Sequence, residues 1–554
     1  MNRTISLQFC SALLLLSTNL SAQTFTLYGD RAFGGTESEA NAQIIPSGNK
    51  LILFGHSQSD ISGEVTDLRC PGPIGNEEDC WIVKFDANFS TLSNENLGGN
   101  REEYAPGAIK NMLNPSELLF AITSNSDSSC DKSENNISFP NHNHDYWICK
   151  IDSNANKIWD KTYGGIATER YPKIIQVTSG DYIVCGLSGS PIGGDKTVAN
   201  YGSEDFWVLK LDGDGNKLWD KVYGGTGLEI ASESYLNWDF SLLAEADGGF
   251  CIAGTSESNA SGDISEPAYG SCDYWIIKLD SDGNKIWDKR YGGSLGDWCS
   301  RIIATSDNGY LVLGSTRSPN DGSISEPLRG ETDIWIVKLD SIGNKIWDRR
   351  YGGTNYEFVF NAEEMASGGY WISGSTQSEI GFEISEPSYG LQDYWMLKID
   401  SVGNKIWDKR FGGPGNDSGA NFVIMPDSSI FLCGSASPGK SVVKTDGGEG
   451  GYDYWVVHFK LSDTTTGIIE AQLNSITFSI YPNPAADNIT ITANKPVNGL
   501  RILNVLGEVV QQQAFTSATV ARADVSQLPD GVYFVQVSGN NASGVMKFVK
   551  LACR

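Results

Sequence analysis

The sequence predicts an all-β chain, a ring of seven four-stranded sheets followed by a small C-terminal β-sandwich. Three observations predict it. A Trp that opens an apolar run recurs seven times, at Trp81, Trp147, Trp207, Trp275, Trp335, Trp395 and Trp455, spaced 66, 60, 68, 60, 60 and 60 residues apart. An aromatic residue or Leu followed by Gly-Gly also recurs seven times, the pairs beginning at Gly34, Gly98, Gly164, Gly224, Gly292, Gly352 and Gly412. Between these markers the chain runs in short apolar stretches broken by turn residues, with no helical period. Its 554 residues exceed one simple core, and 62 Gly with 11% aromatics favour strands and tight turns.

The N-terminus, MNRTISLQFCSALLLLSTNLSAQ, has Arg3, then a mostly apolar run from Ile5 to Leu16, then Ser21-Ala22-Gln23. This is the pattern of a signal peptide over residues 1–23, too short to span a membrane. No other segment holds 18 consecutive apolar residues, so the mature chain is expected to be exported without a transmembrane segment. Export permits disulfides. Cys70 and Cys80 flank one loop and form the expected bridge. Cys185 and Cys433 both sit just before the Gly of an apolar strand and read as small buried hydrophobes.

One unit shows how a sheet is built. SRIIAT (300–305) is apolar and β-branched, Ser306-Asp307-Asn308-Gly309 is a hairpin turn, and YLVLGST (310–316) is a second strand. A long loop follows. DIWIVKLD (333–340) is a third strand, Ser341-Ile342-Gly343-Asn344 a turn, and KIWDRRY (345–351) a fourth. The third strand is apolar on both faces and needs cover on both sides, which neighbouring copies supply. The fourth alternates Lys, Trp, Asp and Arg, as a charged edge does. Greasy inner strands, a charged outer strand and sheets stacked on sheets describe a β-propeller over residues 24–461. FTLYGDRAFGG (25–35) carries only a fourth-strand signature, and the last copy, DYWVVHFKL (453–461), lacks a fourth strand. The N-terminal strand is therefore expected to complete the last blade and close the ring.

The D-x-W-x-x-K-x-D-x-x-G-N-x-x-W-x-x-x-Y-G-G run and the apolar-Gly-x-[ST] strand resemble the secreted seven-bladed β-propeller repeats known as SBBP repeats. The resemblance is closest at Trp275, Trp335 and Trp395 and poorest in the second copy, where Ile122 replaces the Gly. It implies a fold and not an activity.

Residues 462–474 are polar and irregular, an expected linker. Residues 475–554 then show short alternating strands. Tyr481-Pro482-Asn483-Pro484, Leu506-Gly507, Gly531-Val532-Tyr533 and Lys547-Phe548-Val549-Lys550 resemble, in that order, the type A sorting domain of type IX secretion cargo. The resemblance implies Pro482, Asn483, Pro484, Gly507, Gly531, Tyr533, Lys547 and Lys550 as the sorting signal, the type IX machinery as a partner, and a secreted or outer-membrane-surface location in a Gram-negative bacterium. The tail departs from the family by its final Leu551-Ala552-Cys553-Arg554.

Strand direction alternates, so the tight turns lie on one face and the long loops and Gly-Gly segments on the other. The long-loop face is the expected ligand surface. Four residues after each Gly-Gly stands a carboxylate: Glu39, Glu103, Glu169, Glu229, Asp297, Glu357 and Asp417. A second ring opens each third strand: Asp79, Asp145, Asp205, Asp273, Asp333, Asp393 and Asp453. Carboxylates at these positions can hold the loop after Gly-Gly by accepting backbone N–H bonds. They are equally the candidates for binding a Ca²⁺, a cation or a sugar. The LDSDGNK turns carry Gly at the fourth position, not the sixth of a calcium loop, and read as hairpins. His142 and His144 form an H-x-H in a loop without an evident third metal ligand.

Net charge −27 opposes nucleic acid and anionic membranes. The first functional reading is a non-catalytic, exported binding or adhesion protein for a glycan or protein ligand. The alternative is a secreted polysaccharide hydrolase or lyase, which a cluster of carboxylate, Tyr and Arg in two adjacent blades would favour.

Overall fold

The computed structural model describes residues 22–67, 69–70, 78–138, 141–229, 240–464, 476, 478–504, 509–539 and 542–551. Among these, seven four-stranded antiparallel sheets and one five-stranded sheet account for the regular structure. Sheet 1 comprises Glu39–Ser47, Lys50–Ser57, Asp79–Asp86 and Thr91–Leu97; sheet 2, Glu103–Lys110, Leu118–Ser124, Asp145–Ile151 and Lys157–Tyr163; sheet 3, Glu169–Gln176, Tyr182–Ser188, Asp205–Leu211 and Lys217–Tyr223. Sheet 4 comprises Ser241–Ala244, Phe250–Ser256, Asp273–Leu279 and Lys285–Tyr291; sheet 5, Asp297–Ala304, Tyr310–Thr316, Asp333–Leu339 and Lys345–Tyr351; sheet 6, Glu357–Glu364, Tyr370–Thr376, Asp393–Ile399 and Lys405–Phe411. Sheet 7 takes Asp417–Ile424, Ser429–Ala436 and Asp453–Thr464, with the N-terminal strand Ala22–Phe33 as its outer strand.

This is a β-propeller. From sheet 2 to sheet 7 the first strands of successive sheets lie side by side, the first strand of sheet 2 lies against the second and third strands of sheet 1, and the first strand of sheet 1 lies beside that of sheet 7. One apolar cluster joins Leu53, Trp81 and Val83 of sheet 1 to Phe431, Tyr454 and Val456 of sheet 7. The third strands are buried on both faces, because each sheet is covered by two neighbours. In sheets 2 to 6, each third-strand Trp is fully buried and donates its Nε1–H to an outer-strand Asp: Asp160, Asp220, Asp288, Asp348 and Asp408, at 3.0–3.2 Å. In sheet 7 the acceptor is Asp30 of the N-terminal strand, at 2.9 Å.

Opposite each Trp the second strand places Gly, except in sheet 2, where Ile122 faces Trp147. The Gly is required by the preceding sheet: a Cβ on Gly186 would meet the Tyr146 hydroxyl at 2.6 Å, and one on Gly434 the Tyr394 hydroxyl at 2.8 Å. Sheet 1 has Cys80 where its neighbours have that aromatic, and the smaller side chain makes room for Ile122 in the shared core. This use of Cys80 also corrects the expected bridge. Cys80 is buried in the core as a free thiol, and Cys70 pairs with Cys130 of the next blade's loop, Cα atoms 6.1 Å apart. Cys185 and Cys433 are buried and free.

The C-terminal unit is a five-stranded sheet of Phe478–Tyr481, Asn488–Leu503, Val509–Asp524, Gly531–Gly539 and Ala542–Lys550. Ile489, Ile491, Leu500, Val535 and Phe548 are fully buried in its core. The expected signal peptide falls on residues 1–21, outside the described residues, save Ala22 and Gln23, which begin the N-terminal strand. Of the expected linker, 462–464 extend a strand of sheet 7 and 465–474 lie outside the described residues.

Candidate functional site

The third-strand Asp ring opens all seven third strands, and the first ring opens the first strands of every sheet but sheet 4, where Glu229 instead forms an isolated bridge with Ser256. All fourteen side chains are buried. The residues Glu39, Glu103, Glu169, Glu357, Asp297 and Asp417 each accept the N–H of the second Gly, at 2.6–3.0 Å. Hydroxyls at the second-strand end donate to the same groups: Ser57 to Glu39, Ser124 to Glu103, Ser188 to Glu169 and Thr376 to Glu357, at 2.6–2.7 Å. Glu229 is held by Ser256 at 3.1 Å and Ser258 at 2.7 Å, and Lys444 donates to Asp417 at 2.9 Å. These carboxylates hold the loop after Gly-Gly against the second strand.

The second ring abuts the first. In each third-strand Asp, one oxygen accepts a loop N–H, as Ile137 donates to Asp145 at 2.6 Å and Tyr389 to Asp393 at 3.0 Å. The other oxygen, Oδ1, has no hydrogen-bond partner in any of the seven. It converges with the carboxylate 24 residues on, or in sheet 7 with Glu39: a Cβ on Gly224 would meet Asp205 Oδ1 at 2.2 Å and Glu229 Oε2 at 2.5 Å. Only Gly fits between two such groups. Burial and mutual repulsion raise these acids, Asp79, Asp145 and Glu229 to about 8, Asp453 to about 7, and Asp297 and Asp333 to about 6. An acid raised to about 8 keeps its proton at pH 7, and in the Asp79–Glu103, Asp145–Glu169 and Asp205–Glu229 pairs that proton can bridge the two groups. The LDSDGNK segments are hairpin turns in which Asp280 Oδ1 accepts the N–H groups of Asp282 at 2.9 Å and Asn284 at 2.7 Å. Among the described residues no group of three acids, His or Cys is placed to hold a metal.

The symmetry breaks in sheets 1 to 3, immediately after the first ring. Tyr104 follows Glu103, Arg170 and Tyr171 follow Glu169, and His144 precedes Asp145. Their side chains meet. The Tyr104 and His144 rings are 5.3 Å apart, Tyr104 and Tyr171 are 6.1 Å apart, and the Arg170 guanidinium lies 5.9 Å from the Tyr171 ring. Around them stand Glu102, 3.7 Å from His144 Nε2, Glu204, paired with Arg170, and Glu78, held by Gln58 at 2.6 Å and 3.4 Å from His56. Tyr171 has φ +56°, an outlier for an aromatic residue, at a bulge where the matching residue of sheet 7 is Gly419. That backbone aims the ring back toward Tyr104. Burial lowers His144, with Glu102 opposing, so the imidazole is neutral at pH 7. Burial raises Tyr104 and Tyr171, so both phenols stay protonated. A neutral imidazole, two phenols and a guanidinium can remove a proton, return one and neutralise a carboxylate. Sequence reasoning singled out His144 only as half of an H-x-H; the signal for the rest was that Tyr104 and Arg170 occupy the position filled by Trp298 and Phe358 in sheets 5 and 6, and Tyr171 that of Gly419 in sheet 7.

In the C-terminal unit, Asn483 ties its loop to the last strand, accepting the Val549 N–H at 2.9 Å and donating to the Lys547 carbonyl at 3.4 Å. The peptide bonds before Pro482 and Pro484 are cis. Gly531 pairs with Lys550, and the Tyr533 hydroxyl donates to the Pro529 carbonyl at 3.0 Å. Gly507 lies outside the described residues. Residues 479–551 match the family of secretion system C-terminal sorting domains. The C-terminal unit is a type IX sorting domain. The protein is thus secretion cargo bound for the cell exterior or surface.

Over 390 residues the chain is 22% identical to an endo-acting ulvan lyase of Formosa agariphila, covering 57% of this chain and 74% of that one. Over 240 residues it is 20% identical to the regulatory protein FlaEY of Caulobacter vibrioides, covering 42% of this chain and about a quarter, 24%, of that relative's length. Solved structures similar to it include the polysaccharide lyase Uly1, at TM-score 0.40, 9% identity and coverage of 78% and 91%, and the Neurospora crassa Pan2 WD40 domain, at TM-score 0.41, 8% identity and coverage of 81% and 97%.

Proposed function

We propose that this exported protein, a ring of seven blades closed by its N-terminal strand, acts on an extracellular polyuronate by β-elimination at the Tyr104–His144–Arg170–Tyr171 cluster. The observation that carries this reading is that these four groups meet across two adjacent blades, with no matching set among the described residues of sheets 4 to 6. Arg170 binds and neutralises the uronate carboxylate. Neutral His144 takes the proton from the carbon next to that carboxylate, the glycosidic C–O bond at the neighbouring carbon breaks, and the Tyr104 hydroxyl protonates the leaving oxygen. The products are a new reducing end and an unsaturated uronyl end, with no water consumed. The ulvan lyase relative supports the substrate class. The buried carboxylate rings are then architectural.

The near-uniform sheets 4 to 6 favour a second reading, in which the same face binds a glycan without cleaving it. Ultraviolet absorbance of unsaturated uronyl ends, followed on a panel of acidic polysaccharides with the intact protein, separates the two. Cleavage that falls at least about 100-fold in Tyr104→Phe and in His144→Ala, at unchanged glycan retention, supports the lyase. Retention without cleavage on every substrate leaves the binding protein.

A further inference from the structure

The long loops of sheets 2 and 3 differ from the other five in one pair of residues. Lys132 and Lys196 occupy the same turn position, bridged to Ser129 and Gly193, and Asn136 and Asn200 stand four residues further on. Sheets 4, 5 and 6 place Ile264, Ile324 and Ile384 at the first position and Ala268, Leu328 and Ser388 at the second. Sheet 1 has Val65 and Arg69 there, and sheet 7 has Lys444 and Gly448. The amide therefore accompanies the lysine in two sheets alone.

In both sheets the lysine folds back onto the amide. Lys132 and Asn136 are buried, 1% and 3% exposed, and Lys132 Nζ donates to Asn136 Oδ1 at 2.7 Å. The amide carbon Cγ is one covalent bond beyond that oxygen. Asn136 Nδ2 donates to the Ser124 carbonyl at 3.1 Å and the Asn143 carbonyl at 2.6 Å, which pins the amide plane. In sheet 3, Lys196 Nζ donates to Asn200 Oδ1 and, at 2.7 Å, to the Ser188 hydroxyl, while Asn200 Nδ2 donates to the Ser188 carbonyl at 2.7 Å. An acid adjoins each pair: Asp145 accepts the N–H of Ile137 and Asp205 that of Tyr201, the residues next to the two amides, both at 2.6 Å. Asp145 bears electrostatically on Lys132, and Asp205 on Lys196. Burial holds both lysines down to about 8, so roughly a tenth of each is free amine at pH 7. Burial also raises Asp145, and Glu229 beside Asp205, to about 8, so each site has a proton to give. Sheet 7 shows the plain way to neutralise such a lysine: Lys444 donates to the Asp417 carboxylate at 2.9 Å, and Gly448 stands at the amide position.

We propose that Lys132 with Asn136, and Lys196 with Asn200, are modification sites at which the folded chain forms its own isopeptide bonds. Lysine Nζ attacks asparagine Cγ. The Nζ–Cγ bond forms and the Cγ–Nδ2 bond breaks. The adjoining acid gives Nδ2 a proton and recovers one from Nζ, and ammonia leaves. Atoms and charge balance, nothing is oxidised or reduced, and no co-reactant is needed. Each bond closes the loop that leads into one side of the candidate site, at His144 in sheet 2 and at Glu204 in sheet 3.

The test is mass spectrometry of the reduced, intact mature protein, with tryptic mapping. Each bond is expected to remove about 17 Da, about 34 Da for both, and to block tryptic cleavage after Lys132 and Lys196. Lys132→Arg and Lys196→Arg should each restore one increment. Asn136→Gly and Asn200→Gly, which copy sheet 7 and keep the lysine, should do the same. A cyclic imide at either asparagine loses the same mass but survives the lysine substitutions. Full mass in the natural protein, or a loss retained in the two Lys→Arg proteins, would overturn the proposal. Loss of a single increment would overturn it for the loop whose lysine trypsin still cleaves.

Discussion

Replacing Asp145 by Asn isolates one carboxyl pair. Asp145 Oδ2 accepts the Ile137 N–H at 2.6 Å, and Oδ1 is turned toward Glu169. An Asn side chain fits both contacts, its oxygen accepting from Ile137 and its amide donating to the Glu169 carboxylate with no shared proton. In the natural protein the pair keeps a proton until about pH 8, whereas an unfolded Asp loses it near its ordinary value of about 3.9. Between those limits the folded chain holds more protons than the unfolded one, so stability falls as pH rises. The slope is about 1.4 kcal/mol per pH unit for one pair, or about 4 kcal/mol from pH 5 to pH 8. The depressed Lys132, at about 8, acts with opposite sign and only above that pH. Tryptophan-monitored urea unfolding at pH 5, 6, 7 and 8 is the assay. The natural protein should lose stability at each step. Asp145→Asn should flatten the profile by about one proton's slope and be the more stable protein at pH 8. A natural profile that rises with pH, or an Asn variant weakened equally at pH 5 and pH 8, would refute the shared proton.

Other predictions follow from packing. Gly352→Ala should destabilise by about 2 kcal/mol or more, since its Cβ would meet Asp333 Oδ1 at 2.5 Å and Glu357 Oε2 at 2.6 Å; Gly213→Ala, with nothing within 4 Å, should be neutral in the same melting assay. Cys80→Tyr alone should clash with Ile122, and Cys80→Tyr combined with Ile122→Gly should recover, giving a double-mutant coupling of about 1–3 kcal/mol. Reduction, or Cys70→Ala with Cys130→Ala, should lower unfolding stability by about 2–4 kcal/mol, given the sequence separation of 60 between the two cysteines.

Strand positions were legible because each is written seven times. Trp, Gly-Gly and the two acidic rings mark strand ends directly, and a sheet needing cover on both faces leaves few ways to stack. The Cys70–Cys130 bridge was not legible: it joins loops of two neighbouring blades, and no repeat marks which loops approach. Nor was the Tyr104–His144–Arg170–Tyr171 cluster, since Tyr104 and His144, 40 residues apart in sheet 2, meet Arg170 and Tyr171 only across a blade junction and through the bulge at Tyr171. The acidic rings attracted attention by repetition, yet burial places them inside the junctions. In a repeat protein the informative residues were those that broke the pattern.

The last sheet is assembled from the two ends of the propeller: Trp455 donates to Asp30 across 425 residues of sequence. Bringing such distant segments together costs about 5 kcal/mol of chain entropy, recovered only when the final strand docks. Until then sheet 7 presents a bare edge to any extended segment nearby, the geometry that invites strand addition from another copy. Assembly therefore ends on a race between intramolecular docking, independent of concentration, and intermolecular pairing, which is not. Dilution at refolding should decide the yield of monomer.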